Sequence, residues 1–244
     1  MTNTEYVALL PAAGVGSRLP DRQGSKELLR VGSGHDGGKP VISHVLGCLG
    51  HAGIRDVIVV LRDGKQDIFE YLTSSEWGHF RFAFEFTPGT SGVPETVALG
   101  LGGIQARSVV FGFPDILFEP RDAVVRLTER LENSTADVVL GLFPTGTPSK
   151  MDMVATDESG CVTEIEIKPD ATTLDLTWIL AAWRPSFSAY LAANHQGNHL
   201  GDVFQLAMAD GLQIESEPFV EGRSLDIGTP DDLDRAKTWL GPDA

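Results

Sequence analysis

Three groups of residues in this chain have the types and spacing for phosphate chemistry. The first is Val7-Ala8-Leu9-Leu10-Pro11-Ala12-Ala13-Gly14-Val15-Gly16-Ser17-Arg18-Leu19, followed by Ser25-Lys26-Glu27-Leu28-Leu29. An apolar run reads as a buried strand, and here it breaks into a loop of small residues. Such a loop lets backbone N–H groups approach a phosphate or a base, and Arg18 and Lys26 supply the charge that a bare loop lacks. The element reads as a holder for a nucleoside triphosphate. Two other phosphate motifs fail on specific residues. The dinucleotide fingerprint wants a third glycine where Leu19 stands. A Walker A loop wants Ser or Thr after Gly38-Lys39, where Pro40 stands, and its first glycine is Ser33. An ordinary strand-to-helix turn would explain Gly14 and Gly16 alone, but not Arg18 with the Ser-Lys-Glu-Leu-Leu run.

The second group is a pair of aspartates. Asp115 follows the apolar run Val109 to Phe113 and Pro114, at a strand end where an open α/β sheet places its ligand. A carboxylate there can hold magnesium, although a cap or turn role is the commoner fate of any one Asp. Asp226 lies in Leu225-Asp226-Ile227-Gly228-Thr229-Pro230. A helix start explains Thr229 as N-cap and Pro230 at the first helical position, but leaves Asp226 and Gly228 unexplained. The third group is Glu164-Ile165-Glu166-Ile167-Lys168-Pro169. Alternation puts Glu164, Glu166 and Lys168 on one strand face, either a solvated edge or a surface ending with Lys168 aimed into a cleft. The six histidines are scattered and suggest no nucleophile–base arrangement.

The elements that must position these groups alternate between strand-like and helix-like runs. Strands are expected at Tyr6–Leu10, Arg55–Leu61, Arg81–Phe86, Ser108–Phe113 and Asp137–Phe143. Helices are expected from Val41 to Leu49, ended by Gly53, then over Glu95–Gly103 and Arg121–Leu131. This order implies right-handed crossovers and an α/β, doubly wound, mostly parallel sheet. Past about residue 150 the pattern loosens. Met151–Thr156 and Cys161–Ile167 read as paired strands around Asp157-Glu158-Ser159-Gly160, and Leu176–Trp183 as a further apolar strand. Pro185–Ala193, Asp202–Ala209 and Asp231–Leu240 read as helices. Ser33 to Gly38 is a glycine-rich loop. We expect a single domain over residues 1–244. Its part to about residue 150 would bind nucleotide, and a small C-terminal part, about 151–244, would bind the acceptor.

At 244 residues, with 42% hydrophobic and 22% charged content, the chain can bury a sizeable core. No run is long enough to span a bilayer, and the polar N-terminus shows no signal peptide. Cys48 and Cys161 lack metal-ligand spacing and read as reduced core residues, so a cytoplasmic location is expected. A net charge of −15 argues against nucleic acid and anionic membranes as partners. It also repels polyanionic substrates, so binding would rest on Arg18, Lys26, Lys168 and a divalent ion.

Taken in order, Gly-x-Gly-x-Arg-Leu, Ser25-Lys26, Lys39-Pro40, Ala52-Gly53-Ile54-Arg55-Asp56, Asp115, Glu166-Ile167-Lys168-Pro169 and Asp226-Ile227-Gly228-Thr229-Pro230 span Val7 to about Ala236. This series resembles the glucose-1-phosphate thymidylyltransferases and other sugar-1-phosphate nucleotidyltransferases. Pro11-Ala12-Ala13-Gly14 and Lys26-Glu27 lean toward the uridylyltransferase branch. The resemblance implies a Rossmann-like nucleotidyltransferase fold and transfer of a nucleotidyl group from a nucleoside triphosphate to a sugar-phosphate-like acceptor. It implies that the loop Leu10 to Gly16, with Leu10, Ala12, Ala13, Gly14 and Gly16, binds the nucleotide, and that Gly92 and Glu95 lie where the base is read. Arg18 would stabilise the pyrophosphate leaving group, and Lys26 would sit on the phosphate near the reaction centre. Asp115 and Asp226 would hold Mg2+, and Lys168 the acceptor phosphate, with Glu166 and Trp178 on the acceptor side. A homo-oligomer is left open.

The acceptor half departs from the family pattern. Ile167 replaces a second acid, Leu180 stands where the family commonly has a glycine near the sugar, and a later glutamate is replaced near His199. The acceptor is therefore expected to differ from plain glucose 1-phosphate: a modified sugar, a cyclitol phosphate or a small phospho-alcohol. Two other readings stand beside this one. One is a cytidylyltransferase acting on a phosphocholine-like, polyol or cyclitol phosphate. The other is a catalytically silent nucleotide-binding paralogue, which the presence of Arg18, Lys26, Asp115 and Asp226 disfavours.

Overall fold

In the computed structural model, residues 5–16, 19, 24–32, 38–104 and 106–239 are described; Arg18 and most of the glycine-rich stretch 33–38 lie outside them. The first half builds a parallel sheet. Strand β1 (Tyr6–Ala12) is followed by a small antiparallel pair, β2 (Arg30–Val31) with β3 (Lys39–Pro40). Helix α1 (Ile42–His51) comes next. It buries Ile42, Val45, Leu46 and Leu49, and ends at Gly53, whose φ of +74° glycine adopts without cost. Then come β4 (Asp56–Arg62), α2 (Gln66–Leu72), β5 (Arg81–Thr87), α3 (Val93–Leu101) and β6 (Ser108–Gly112). Strand β1 runs parallel to both β4 and β6, and β4 runs parallel to β5. The central strands are apolar on both faces because helices cover both. Leu10 packs in one core layer with α1, α2 and α4 residues, and Leu9 in the other with residues of α3, α5 and α6.

The second half closes the sheet and adds the parts that shape the site. It runs β7 (Ile116–Glu119), α4 (Ala123–Glu132), β8 (Val138–Pro144), β9 (Asp152–Thr156), β10 (Val162–Ile167), β11 (Leu176–Trp183), α5 (Pro185–Ala193), α6 (Leu200–Ala209), β12 (Ile214–Pro218), β13 (Arg223–Asp226) and α7 (Pro230–Ala236). Among the described residues, nine strands from both halves share one sheet. Strand β11 enters it antiparallel, between β6 and β8, and β12 lies parallel to β8. Along its length β11 pairs with β6 through Leu180–Trp183, but with β9 only at Thr177. The sheet therefore forks beside Trp178, and the antiparallel β9–β10 hairpin leans out from the fork. Strands β7 and β13 form a separate antiparallel ribbon over a small core of Val31, Val41, Leu117, Leu225, Ile227 and Ala236.

The sequence leaves α2, β7, β12 and β13 unread: each is short, and none carries a strong period of its own. Cys48 is in the core as expected. Cys161 is not: it is exposed beside the β9–β10 turn, where its sulfur accepts a hydrogen bond from the Ser159 hydroxyl at 3.3 Å. No described helix is long and apolar enough to cross a membrane.

One buried contact ties the ribbon to α1. Nε2 of His44 accepts the Phe118 N–H at 3.1 Å, so this nitrogen is unprotonated. Burial pushes the imidazole down to about 4. Between that value and about 6.5 the unfolded chain binds the proton that the folded chain refuses, so stability rises with pH across this window. The contribution is complete above about pH 6.5, is lost as pH falls toward 4, and amounts to roughly 3 kcal/mol. Urea unfolding across this window should show His44→Gln with a flatter pH dependence than the parent; an unchanged slope would refute the assignment.

Candidate active site

The carboxyl ends of β1, β4 and β6 open into one cavity of about 620 Å³, where an open α/β sheet puts its ligand. From β1 the wall is Pro11, Ala13, Gly14 and Val15; β4 contributes its last residue, Arg62. A Cβ on Gly14 would meet nothing within 4 Å, so the backbone there is open to a ligand. The loop after β5 adds Thr90 and Gly92, and the first turn of α3 adds Val93 and Thr96. Gly92 allows a close approach: a Cβ there would stand 2.6 Å from the Asn198 Cα.

Lys26 begins a single turn of 3-10 helix and is pinned from behind by α2. Asp67 accepts from both the Ser25 N–H and the Ser25 hydroxyl at 2.7 Å, and Lys65 donates to Glu27 at 2.7 Å. Burial pushes Glu27 up and Lys65 down from their ordinary pKa values, each partner opposing the other's shift. On the cavity side the Lys26 ammonium pairs with Asp115. Burial works against the Lys26 charge, but the carboxylates of Asp115, Glu27 and Asp226 outweigh it and raise the pKa. The ammonium is therefore charged, and aimed where an anion would enter.

Asp115 follows β6, and the ribbon brings Asp226 beside it. Asp226 is in register with Ile116, and the Ile227 N–H donates to the Asp115 carbonyl at 3.0 Å. Thr229 then caps α7 by accepting from the Asp232 N–H at 3.3 Å, so the helix-start reading of Thr229 and Pro230 holds while Asp226 faces the cavity. Among the described residues no group of three or more His, Cys, Asp and Glu is arranged to hold a metal. Two carboxylates next to a phosphate-sized space nevertheless fit magnesium, which takes few protein oxygens and completes its shell with phosphates and water.

The far wall comes from the second half: Ser149 to Asp152, Lys168, Trp178, Asn198, His199 and Leu200. Lys168 sits at φ +43° directly before Pro169. A non-glycine residue in that region stores strain of the kind found at ligand sites. Trp178 fills the fork, buried, with its ring 5.7 Å from Phe113 and 5.2 Å from Phe204.

Of the residues that the sequence singles out, the cavity brings together Ala13, Gly14, Lys26, Gly92, Asp115, Lys168, Trp178 and Asp226. Others stand outside its lining. The side chains of Leu10 and Ala12 belong to the core, and Gly16 turns the chain at φ +64°. Glu95 is occupied at the start of α3, where it accepts from the Ser91 N–H and hydroxyl, and these bonds hold its carboxyl below the usual range. Glu166 has a buried Oε2 without a partner, away from the cavity wall. Leu180, expected at the acceptor, packs instead against Gly112 and Gly141 in the core; the bulky residue facing the cavity from β11 is Trp178, two places earlier. Ile167 packs in the second core layer, whereas His199 does line the cavity. The sequence alone did not point to Arg62, Lys150 or Asp152. Only Arg62, a cation closing an apolar strand, left a readable signal.

Comparison with known proteins agrees with this geometry. Residues 8–205 match the MobA-like NTP transferase domain. The low-salt glycan biosynthesis nucleotidyltransferase Agl11 of Haloferax volcanii is 28% identical over 239 residues, covering 92% of this chain; the match spans 63% of that protein's length. A glucose-1-phosphate thymidylyltransferase of Xanthomonas campestris is 24% identical, over 97% of this chain and 81% of its own. The inositol-1-phosphate CTP transferase structure from T. maritima shares the fold, with a TM-score of 0.76 at 17% identity, over 96% of this chain and 93% of its own. By the match across residues 8–205, this chain belongs to the MobA-like NTP transferase domain family.

Proposed function

We propose that this chain is a magnesium-dependent, cytoplasmic nucleotidyltransferase that joins a nucleoside triphosphate to a sugar 1-phosphate or a sugar-like phosphate. Pyrophosphate is released and a nucleoside diphosphate sugar is made. One observation carries the reading: Ala13 to Val15, Lys26, Asp115 and Asp226 face Lys150, Lys168 and Trp178 across a single cavity. The two free thiols, Cys48 and Cys161, suit a reducing compartment.

In this reading the open backbone at Gly14 admits the triphosphate, and Lys26 lies on its phosphates with its charge kept by Asp115. Arg18, outside the described residues, would add charge to the leaving pyrophosphate. Lys168 holds the acceptor phosphate. A phosphate oxygen of the acceptor attacks the α-phosphorus; the bond from that phosphorus to the bridging oxygen of the β-phosphate breaks, and the electron pair leaves with pyrophosphate. The nucleophile is already anionic and needs no base, so positioning and neutralisation of charge do the work. Magnesium held by Asp115 and Asp226 would supply further neutralisation of the phosphates.

A second reading is favoured by the indole of Trp178 and by His199, which line the far end of the cavity. The acceptor would then be a cyclitol, polyol or phosphocholine-like phosphate and the nucleotide a CTP, the substrate class that the name of the T. maritima enzyme carries.

Pyrophosphate release is the assay, with each nucleoside triphosphate against a panel of sugar, cyclitol and choline phosphates in the presence of magnesium. Release with one pair is expected; binding of triphosphate without any release would favour the silent paralogue. With the active pair, Asp115→Asn and Asp226→Asn should each lower kcat roughly 10²-fold or more, and near-parental rates in both would remove the metal assignment. Lys168→Met should raise the acceptor KM by about tenfold while calorimetry finds triphosphate affinity unchanged, since one charge-assisted phosphate contact is lost. A weakened triphosphate with a normal acceptor KM would reverse the two ends of the cavity.

A further inference from the structure

The acceptor end of the cavity contains a charge that phosphate binding does not use. Asp152 opens β9 on the cavity wall and is only 9% exposed. Its Oδ1 makes no well-aligned hydrogen bond within the protein; the buried indole N–H of Trp178 stands beside the carboxylate as its only weak donor among the described side chains. The backbone at this position is fully employed: the Asp152 carbonyl accepts from the Thr177 hydroxyl at 2.8 Å, a bond that any residue type could accept. The carboxylate has no such structural duty. The fold nevertheless makes room for it. A Cβ on Gly201, at the start of α6, would stand 2.7 Å from Asp152 Oδ2 and 2.5 Å from Ile167 Cδ1.

A buried carboxylate that the protein itself satisfies only in part is costly, so its presence at a cavity wall points to something that arrives. The groups facing it are few. Burial pushes its pKa up and Asp202 adds to the rise, while His199, Lys168 and the Trp178 indole oppose it. Lys168 is the cation assigned to the acceptor phosphate, which leaves Asp152 without a committed counter-charge once substrate is bound. A hydroxyl from the acceptor would give the carboxylate a hydrogen bond but leave the negative charge buried. A protonated amine gives both the hydrogen bond and the charge. The rings of Phe113 and Trp178, 5.7 Å apart, line the same end and offer faces that attract a cation.

We propose that Asp152 receives a protonated amine of the acceptor, making the acceptor an amine-bearing phosphate ester whose phosphate rests on Lys168 and whose ammonium rests on Asp152. This rests on the nucleotidyltransferase reading above and narrows its acceptor. The amine must carry N–H groups, because a quaternary ammonium has none to donate to the carboxylate. Amino-sugar 1-phosphates and amino-alcohol phosphates share this chemistry.

The test compares matched acceptors that differ by the amine. Pyrophosphate release is measured with glucosamine 1-phosphate against glucose 1-phosphate, and with ethanolamine phosphate against 2-hydroxyethyl phosphate. Phosphocholine serves as the cation without N–H. In one of the two pairs kcat/KM for the amine should exceed that for its hydroxyl twin by at least about tenfold, with phosphocholine well below ethanolamine phosphate if the second pair is the active one. Which pair responds identifies the sugar or the alcohol as the source of the amine. Asp152→Asn, nearly isosteric and checked by its melting curve, should erase the preference. The proposal is overturned if the hydroxyl twins are used as well as the amines, or if the preference survives Asp152→Asn. If the variant does not fold, the parent protein's comparison of twins decides alone. If no acceptor releases pyrophosphate, the function proposed above fails, and calorimetric titration of the same phosphates into the parent protein still judges Asp152. Tighter binding of an amine than of its twin supports the site, and equal or absent binding of both overturns it.

Discussion

The contact between the Lys26 ammonium and the Asp115 carboxylate is the constraint on which the rest of the site depends. Neither charge is tolerable alone at this depth, and the pair persists because further charges stand on both sides. Behind Lys26 lies the buried Lys65–Glu27 pair, and beyond Asp115 lies Asp226. This alternation of signs lets a chain of net charge −15 present a cation to a polyanion. It also fixes geometry. Lys26 follows β1 and Asp115 follows β6, so their pairing draws the loops at two neighbouring strand ends over one cavity.

The opposite wall is governed by a mismatch in strand pairing. Strand β11 cannot pair fully with both β6 and β9 on one side, and the sheet opens between them. Something must fill that gap, and Trp178 does, packed against Phe113 and Phe204. A large indole at the fork and a carboxylate at the start of β9 give the far wall an aromatic surface and a buried acid beside Lys150 and Lys168. The cavity thus has two characters. The end built on β1 is backbone-lined and sets Lys26 and Arg62 among Glu27, Asp115 and Asp226, and the far end is aromatic and sets Lys150 and Lys168 beside a buried acid.

Most of the fold was legible because its central strands are apolar on both faces and its helices keep the 3.6 period. Val57 to Leu61 and Val109 to Phe111 could be little else. The elements that escaped were the short ones. Strand β12 is half polar, and β7 and β13 read as strands only once paired with each other. Glu95 stands outside the cavity lining for a related reason. A glutamate at the start of a helix can face a ligand or cap the helix, and the local bonds from Ser91 chose the cap. Leu180 was displaced by two residues, which on a strand keeps the side-chain alternation; the irregular register of β11 between Trp178 and Leu180 sends the two side chains to different surroundings.

By itself the sequence determined the local makeup of one end of the cavity: small residues after β1, Lys26 beside a short turn, and Asp115 after an apolar run. These are local patterns, and local patterns survive in one dimension. Only the tertiary structure decided which distant residues share the cavity. Asp226 meets Asp115 through ribbon pairing, Glu27 meets Lys65 across a helix start, and Asp152 comes under α6 because Gly201 has no side chain. Each meeting depends on burial and on register between segments far apart in the chain, and neither quantity is written in the neighbours of a single residue.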